Sequence, residues 1–371
     1  MRIAFVDFTP WDYTPLTPDV SPLGGTQSAV CYLARQLAAA GFEVSLLNGA
    51  ARPAAIAGVS VVPLATVRAE RVLADSQVAV LISTSHAVAK LKSLLAPGCP
   101  LVLWTQHAAD QPAIRALAQP EVSALVDRFV FVSQWQQAGY QRAFGLAPER
   151  CQVLRNAVGP AFAGLFADGR GALAAKAWPP RLAYTSTPFR GLETLLEVFP
   201  AIRAAVPGVT LAVYSSMQVY QLPPGRDTAD YGHLYRRAAT TEGVEYVGSL
   251  PQPELARAMR TVDVLAYPNH FAETSCIAAM EALAAGCRVV TSDLAALGET
   301  TAGFAALVPV GGDRAEYGRQ FVAAIVEVLA GLAGDPAAAR EHLDRQLAFV
   351  ESQCVWPRRA QQWADWLATI V

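Results

Sequence analysis

Pro268-Asn-His-Phe-Ala-Glu273-Thr-Ser-Cys-Ile-Ala-Ala-Met-Glu281-Ala-Leu-Ala-Ala-Gly286-Cys-Arg-Val-Val290 is the stretch on which the reading of this chain turns. It follows the β-branched and aromatic run Val264–Tyr267 and leads into a second such run, Val289–Thr291, so it joins two strands. Ser275–Ala285 is apolar almost throughout and predicts a helix, closed by Gly286 where a left-handed cap costs least. A strand, a helix and a second strand in this order form the crossover unit of a parallel sheet. The free N–H groups of the first turn, from Thr274 to Ile277, then point beyond the carboxyl end of the first strand, and such a terminus favours an anion. A diphosphate fits that place. Glu281 lies in the middle of the apolar helix, where a bare carboxylate is costly. It meets a protein partner, with Arg288 the nearest candidate, or it accepts from ligand hydroxyls such as those of a ribose.

The same rhythm runs outward in both directions. Ile3–Phe8, Val44–Leu47, Val78–Ile82, Leu101–Trp104 and Phe129–Val132 are short apolar runs followed by helix-like stretches. Leu182–Tyr184, Thr210–Tyr214, Val244–Val247 and Ala306–Val308 complete the series in the second half. Strands apolar on both faces and alternating with helices predict parallel sheets covered on both sides, an α/β class. At 371 residues the chain is long enough for two cores. Ala157–Pro180, rich in Gly, Ala and Pro, marks the hinge. The expected domains are residues 1–165, completed by a C-terminal helix over 356–371, and residues 175–355. That last helix carries apolar residues at 356, 363, 366, 367 and 370, a stripe that must be buried somewhere.

Composition narrows the function. Hydrophobic residues make up 53% and charged residues 16%, which describes a well-buried chain without disordered tracts. With a net charge of −2 and no polybasic block, the stripe of cations needed to track nucleic-acid phosphates is missing, and at most a peripheral membrane contact is expected. The six cysteines have no pair two or four apart and no nearby His at ligand spacing, so they read as small buried hydrophobes, and no Asp-x-Asp pair occurs; neither a metal nor a cofactor is expected. A strand starts directly after Met1-Arg2 and no apolar run reaches bilayer length, which predicts a cytoplasmic location.

Further candidates sit at strand ends. Gly24-Gly25-Thr26-Gln27-Ser28 precedes a helix expected over Ser28–Ala40 and ended by Gly41. Paired glycines let backbone approach a ligand closely, although the third Gly of the dinucleotide fingerprint is absent. Arg190-Gly191-Leu192 follows Leu182–Tyr184, and a guanidinium there can neutralise phosphate bidentately. His107 follows Leu101–Trp104 and His86 follows Val78–Ile82, both at the carboxyl edge of a sheet; position alone does not choose between them. Ser133 starts a helix after Phe129–Val132.

Two glutamates separated by seven residues, followed by Ala-x-Ala-x-Gly and a β-branched strand, resemble the donor-binding motif of retaining glycosyltransferase family four. The resemblance implies the GT-B fold, two Rossmann-like α/β/α domains facing a cleft, and transfer of a sugar from a UDP- or GDP-sugar to a carbohydrate-type acceptor. It implies that Glu281 holds the ribose, that Glu273 holds the transferred sugar, and that backbone around Thr274, Ser275 and Cys276 holds the distal phosphate. Gly24, Gly25 and Thr26 resemble the Gly-Gly loop that touches the donor from the N-terminal side. Arg190 resembles the cationic step at the diphosphate, His107 the acceptor-side histidine, and Leu250 part of the base-side loop. The family usually has another Arg directly after the strand, where this chain has Tyr184-Thr-Ser-Thr-Pro188, so Ser186 and its neighbours would supply hydroxyls instead. That departure keeps a second expectation open, a nucleotide-sugar-binding protein of the same fold with little or no turnover. Residues 50–75 and 215–240 match no step of the family.

Overall fold

Apolar runs of four to six residues cannot leave their backbone polar groups unpaired in a core, so they pair side by side, and here they form two sheets. In the computed structural model, which describes residues 1–167 and 171–371, the first sheet has eight strands. They are β1 (Arg2–Val6), β2 (Glu43–Asn48), β3 (Ala54–Ile56), β4 (Val59–Pro63), β5 (Val78–Ile82), β6 (Leu101–Trp104), β7 (Arg128–Phe131) and β8 (Cys151–Val153). Their order is β3-β4-β2-β1-β5-β6-β7-β8, parallel except for the β3–β4 pair at the edge. The second sheet holds β9 (Arg181–Tyr184), β10 (Thr210–Val213), β11 (Val244–Tyr246), β12 (Val264–Tyr267), β13 (Arg288–Asp293) and β14 (Ala305–Pro309). Its order is β11-β10-β9-β12-β13-β14, parallel throughout.

Each of the runs expected from sequence is a strand, with bounds that match or shift by at most two residues. Sequence patterning passed over β3, β4 and β8. Two of these have three residues each, too few to show alternation, and β4 ends on Pro63, which reads as a strand breaker.

The chain divides into two compact units, residues 1–18, 25–157 and 356–371 in one, and residues 19–24 and 158–355 in the other. The division falls between Ala157 and Val158, at the start of the Gly- and Ala-rich stretch; residues 168–170 of that expected hinge lie outside the described residues. In the first unit the helix Trp356–Leu367 packs on the helix Gly25–Ala39 and buries Trp356, Trp363 and Leu367. Trp363 meets Trp104 edge-on at 5.0 Å and Phe5 at 6.4 Å between ring centroids, a contact type that adds about 0.5–1.5 kcal/mol beyond burial.

In the second unit the sheet is covered by Leu192–Ala205, Ile277–Ala284 and Arg314–Gly334, whose Leu195, Phe199, Leu283, Phe321 and Ile325 are buried against it. No single helix among the described residues is long and apolar enough to cross a bilayer; Arg314–Gly334 and Pro336–Leu367 pass such a test only as a pair, bent by 110°.

Two helix starts differ from expectation. The first begins at Gly25, three residues before Ser28, so Gly25 and Thr26 are its first turn rather than a loop before it. The other begins at Ile277, two residues after Ser275, with Cys276 as its cap. Gly41 and Gly286 do take the left-handed backbone expected of them, with φ of 91° and 64°.

Candidate functional site

Strand order decides where a ligand is received. An open parallel sheet binds beyond the carboxyl ends of its strands, at the point where connections turn from one direction to the other. In the second sheet that point lies between β9 and β12, whose following loops carry Arg190 and Glu273.

Gly191 lets the two loops approach. It has φ of +140°, and a Cβ there would stand 2.3 Å from the Pro268 carbonyl oxygen, so only glycine fits. The Arg-Gly step therefore has a steric cause as well as an electrostatic one.

Arg190 Nη1 donates to Glu273 Oε1 at 2.8 Å, and the Tyr267 hydroxyl donates to the same oxygen at 2.6 Å. Arg190 Nη2 donates to the Tyr220 hydroxyl at 3.2 Å. The guanidinium lies 4.5 Å from the Phe271 ring centre and 5.4 Å from that of Phe189, within reach of cation–π attraction. Side-chain exposure is 21% for Arg190 and 7% for Glu273. Burial, the largest single influence, works against the guanidinium charge, but the Glu273 carboxylate together with Tyr220, Tyr267 and Cys276 outweighs it and holds Arg190 above its ordinary pKa. Burial, then Glu273, push the Tyr267 phenol well up, so it stays a donor. Arg190 Nε remains buried with no partner. An unsatisfied buried donor costs about 1–3 kcal/mol, and one on a cation costs more.

The helix Ile277–Ala284 opens beside this pair. Thr274 and Cys276 are buried and Ser275 is half-buried. Burial, then Glu273, hold the Cys276 thiol well up, so it is neutral. Glu281 is 6% exposed. Burial pushes its carboxyl up to about 8, opposed by hydrogen bonds from the Gln252 side chain and the Gly159 backbone. Arg288, the nearest protein candidate in sequence, does not fill that role. Burial alone acts on it, lowering its pKa, because it starts β13 at the opposite end of the crossover from the sheet's carboxyl edge.

Ser186 Oγ lies 3.3 Å from the Tyr267 hydroxyl, and the neighbouring Thr187 hydroxyl is buried without a partner. Leu250 is half-buried against the core, beside Ser249, whose hydroxyl meets that of Ser216 at 2.7 Å.

In the first unit the corresponding turning point lies between β1 and β5. After β1, the buried Asp7 carboxylate accepts from the Tyr13 hydroxyl at 2.7 Å, the Gln27 amide at 3.0 Å and the Thr9 N–H at 2.9 Å. This clasp ties the strand end to the first turn of the helix that starts at Gly25; Gly24 is buried and Gly25 exposed. His107 is half-buried after β6. Its carbonyl accepts from the Gln136 amide at 2.8 Å and the Tyr140 hydroxyl at 2.9 Å. Gln136 reaches it from a helix capped by Ser133, whose hydroxyl accepts from the Gln136 N–H. His86 is exposed, with Nε2 3.1 Å from the Pro112 carbonyl.

The structure thus brings Arg190, Glu273, Ser186 and Cys276 together, with Glu281 one to two turns further along the same helix. Sequence reasoning passed over Tyr267, Tyr220, Gln252 and Asp7. Tyr267 carried a signal, an aromatic at the very end of a strand, whereas Tyr220 lies in a stretch without pattern. Among the described residues no three His, Cys, Asp or Glu side chains gather as a metal cluster.

Comparison with known proteins gives the following similarities. The family model for glycosyl transferases group 1 matches residues 180–330, and that for glycosyltransferase family 4 matches residues 23–162. No curated protein matches. Among solved structures, sucrose-phosphate synthase from Thermosynechococcus elongatus is similar, at 18% identity and a TM-score of 0.72, covering 100% of this chain and 99% of that one. A glycosyltransferase from Rickettsia africae aligns at 9% identity and 0.71, covering 100% and 98%. HepE from Anabaena, in complex with UDP and glucose, aligns at 15% and 0.65, covering 100% of each chain. At these identities the structures show the fold, two Rossmann-like domains of the GT-B type.

Proposed function

The chain belongs to the group 1, family 4 glycosyltransferases, and from that premise we propose that it transfers a sugar, with retention at the anomeric carbon, from a nucleotide-sugar donor to a carbohydrate-type hydroxyl. One observation carries the reading. At the turning point of the second sheet a half-buried guanidinium, Arg190, with an unsatisfied Nε–H, lies beside the start of the helix Ile277–Ala284. Cation, spare donor capacity and helix terminus together suit a diphosphate. Anabaena HepE, one of the similar structures, also exists as a complex with UDP-glucose.

In this reading Arg190, the Ser186 hydroxyl and the N–H groups around Thr274, Ser275 and Cys276 take up charge on the departing diphosphate. Glu273 orients the sugar, Glu281 the ribose and Leu250 the base, while Gly24, Gly25 and Thr26 touch the donor through backbone. His107 serves the acceptor. The acceptor oxygen bonds to the anomeric carbon as the bond from that carbon to the phosphate oxygen breaks, and the acceptor's proton passes to the departing phosphate. Preorganised donors of this kind commonly account for about 10²- to 10³-fold in rate each. The scheme asks for no metal.

The test is turnover. Incubation with a panel of UDP- and GDP-sugars, following nucleoside diphosphate release and the anomeric configuration of the product by NMR, is expected to single out one donor and give retention. An inverted product overturns the mechanism. Tight binding of a donor with no release, with or without added sugars as acceptors, favours a binding protein instead.

A further inference from the structure

Tyr220 stands outside every step of the family resemblance, yet its hydroxyl accepts from Arg190 Nη2 at 3.2 Å. The segment that delivers it is firmly built. The Ser216 hydroxyl accepts from Gln218 N–H at 3.3 Å and caps the short turn Met217–Tyr220. Gln221 closes that turn in the left-handed region, with φ of 50°, and its N–H returns to Gln218. Asp227, buried in the helix Pro224–Thr240, accepts from Met217 N–H at 3.0 Å and from the Tyr235 hydroxyl at 2.6 Å. Tyr235 is itself stacked on Tyr246, with 4.9 Å between ring centroids and 20° between planes. A buried carboxylate that anchors the first amide of the turn as well as the Tyr235 hydroxyl makes sense where the turn ending in Tyr220 has to be placed accurately.

The arrangement around Arg190 says what the placement achieves. Glu273 engages Nη1, Tyr220 engages Nη2, and Phe189 and Phe271 lie near the guanidinium. A planar group engaged at both terminal nitrogens is held in one orientation, with one N–H on each of them and the buried Nε–H left over from its five donors. We propose that Tyr220 is a positioning residue of the donor site: with Glu273 it fixes the orientation in which the Arg190 guanidinium meets the donor's diphosphate. This rests on the donor-site reading above and adds to it which residue holds the cation in place.

The test is Tyr220→Phe, which removes one oxygen and keeps the ring, beside Arg190→Lys, which keeps a charge but has no planar fork for Glu273 and Tyr220 to hold. In protein labelled with ¹⁵N-arginine, the side-chain signals that vanish in Arg190→Lys belong to Arg190. The parent is expected to show resolved, slowly exchanging Nη–H signals for this residue, and Tyr220→Phe to show them averaged. With the best nucleotide sugar of the panel, Tyr220→Phe is expected to lower kcat about 10-fold while KM changes less than about 3-fold, because the charge Arg190 meets grows in the transition state. Arg190→Lys is expected to lose more in both. Arg190 signals unchanged by Tyr220→Phe, or unchanged turnover beside altered signals, overturn the proposal while leaving the donor site intact. If Arg190→Lys also matches the parent in kcat and KM, the donor-site reading itself has failed.

Discussion

Replacing Glu281 by Gln isolates what the second unit gives up to hold this carboxylate. Glu281 is 6% exposed, and burial pushes its carboxyl up to about 8 against the Gln252 and Gly159 hydrogen bonds, from an ordinary value of 4.5. The folded chain thus keeps a proton that the unfolded chain releases, so the contribution to stability is fully present below pH 4.5 and is lost as pH rises to about 8. At about 1.4 kcal/mol per pH unit, the loss is about 2 kcal/mol by pH 6 and about 5 kcal/mol above pH 8.

A glutamine removes the titration without leaving the site unsatisfied. Its amide oxygen can accept as the carboxylate does, and its NH₂ can donate toward the neighbouring Gln252, whose Oε1 is buried without a partner in the parent. Glu281→Gln is therefore expected to be more stable than the parent by about 2 kcal/mol at pH 6 and about 5 kcal/mol at pH 9, the gap levelling above pH 8. Scanning calorimetry of both proteins from pH 5.5 to 9.5 measures it. A gap that does not change with pH, or a variant less stable than the parent at pH 9, would show that burial does not hold a proton on Glu281. Stability surrendered at one polar position is what a ligand site commonly shows.

Two further substitutions test the frame around the sites. Gly191→Ala puts a Cβ 2.3 Å from the Pro268 carbonyl oxygen at a φ of +140°, so it is expected to cost about 3 kcal/mol or more and to displace Arg190. A parent-like melting temperature would show that the two loops do not need to touch. Trp363→Ala empties a fully buried position between Phe5 and Trp104 and is expected to cost the first unit about 3–5 kcal/mol. A calorimetric trace unchanged from the parent would mean that the C-terminal helix adds nothing to that unit's stability.

How much of this was legible depended on how local the cause was. The crossover from Val264 to Val290 was readable because strand, apolar helix and closing Gly286 each carry their own signal in adjacent residues. The helix start at Ile277 was misread by two residues because Ser275 resembles a cap, while the tight loop after β12 postpones the helical backbone to Cys276. Arg190 and Glu273 were each visible as candidates, but their mutual ion pair was not, since it arises from β9 and β12 being neighbours in the sheet. The protein groups that meet Glu281 were not legible for the same reason. Arg288 is close in sequence, whereas Gln252 and Gly159 are brought by other elements. Tyr220 had no signal at all, because its placement depends on Asp227, Ser216 and the sheet beneath them.

Every functional step above requires a nucleoside diphosphate to be held by Arg190 at the start of the helix Ile277–Ala284. Isothermal titration of UDP and GDP into the parent and into Arg190→Ala puts that requirement to the test. One of the two nucleotides is expected to bind the parent, with affinity reduced at least about 10-fold in the variant, roughly 1.4 kcal/mol or more. Equal affinity in parent and variant, or no heat of binding with either nucleotide, would rule it out.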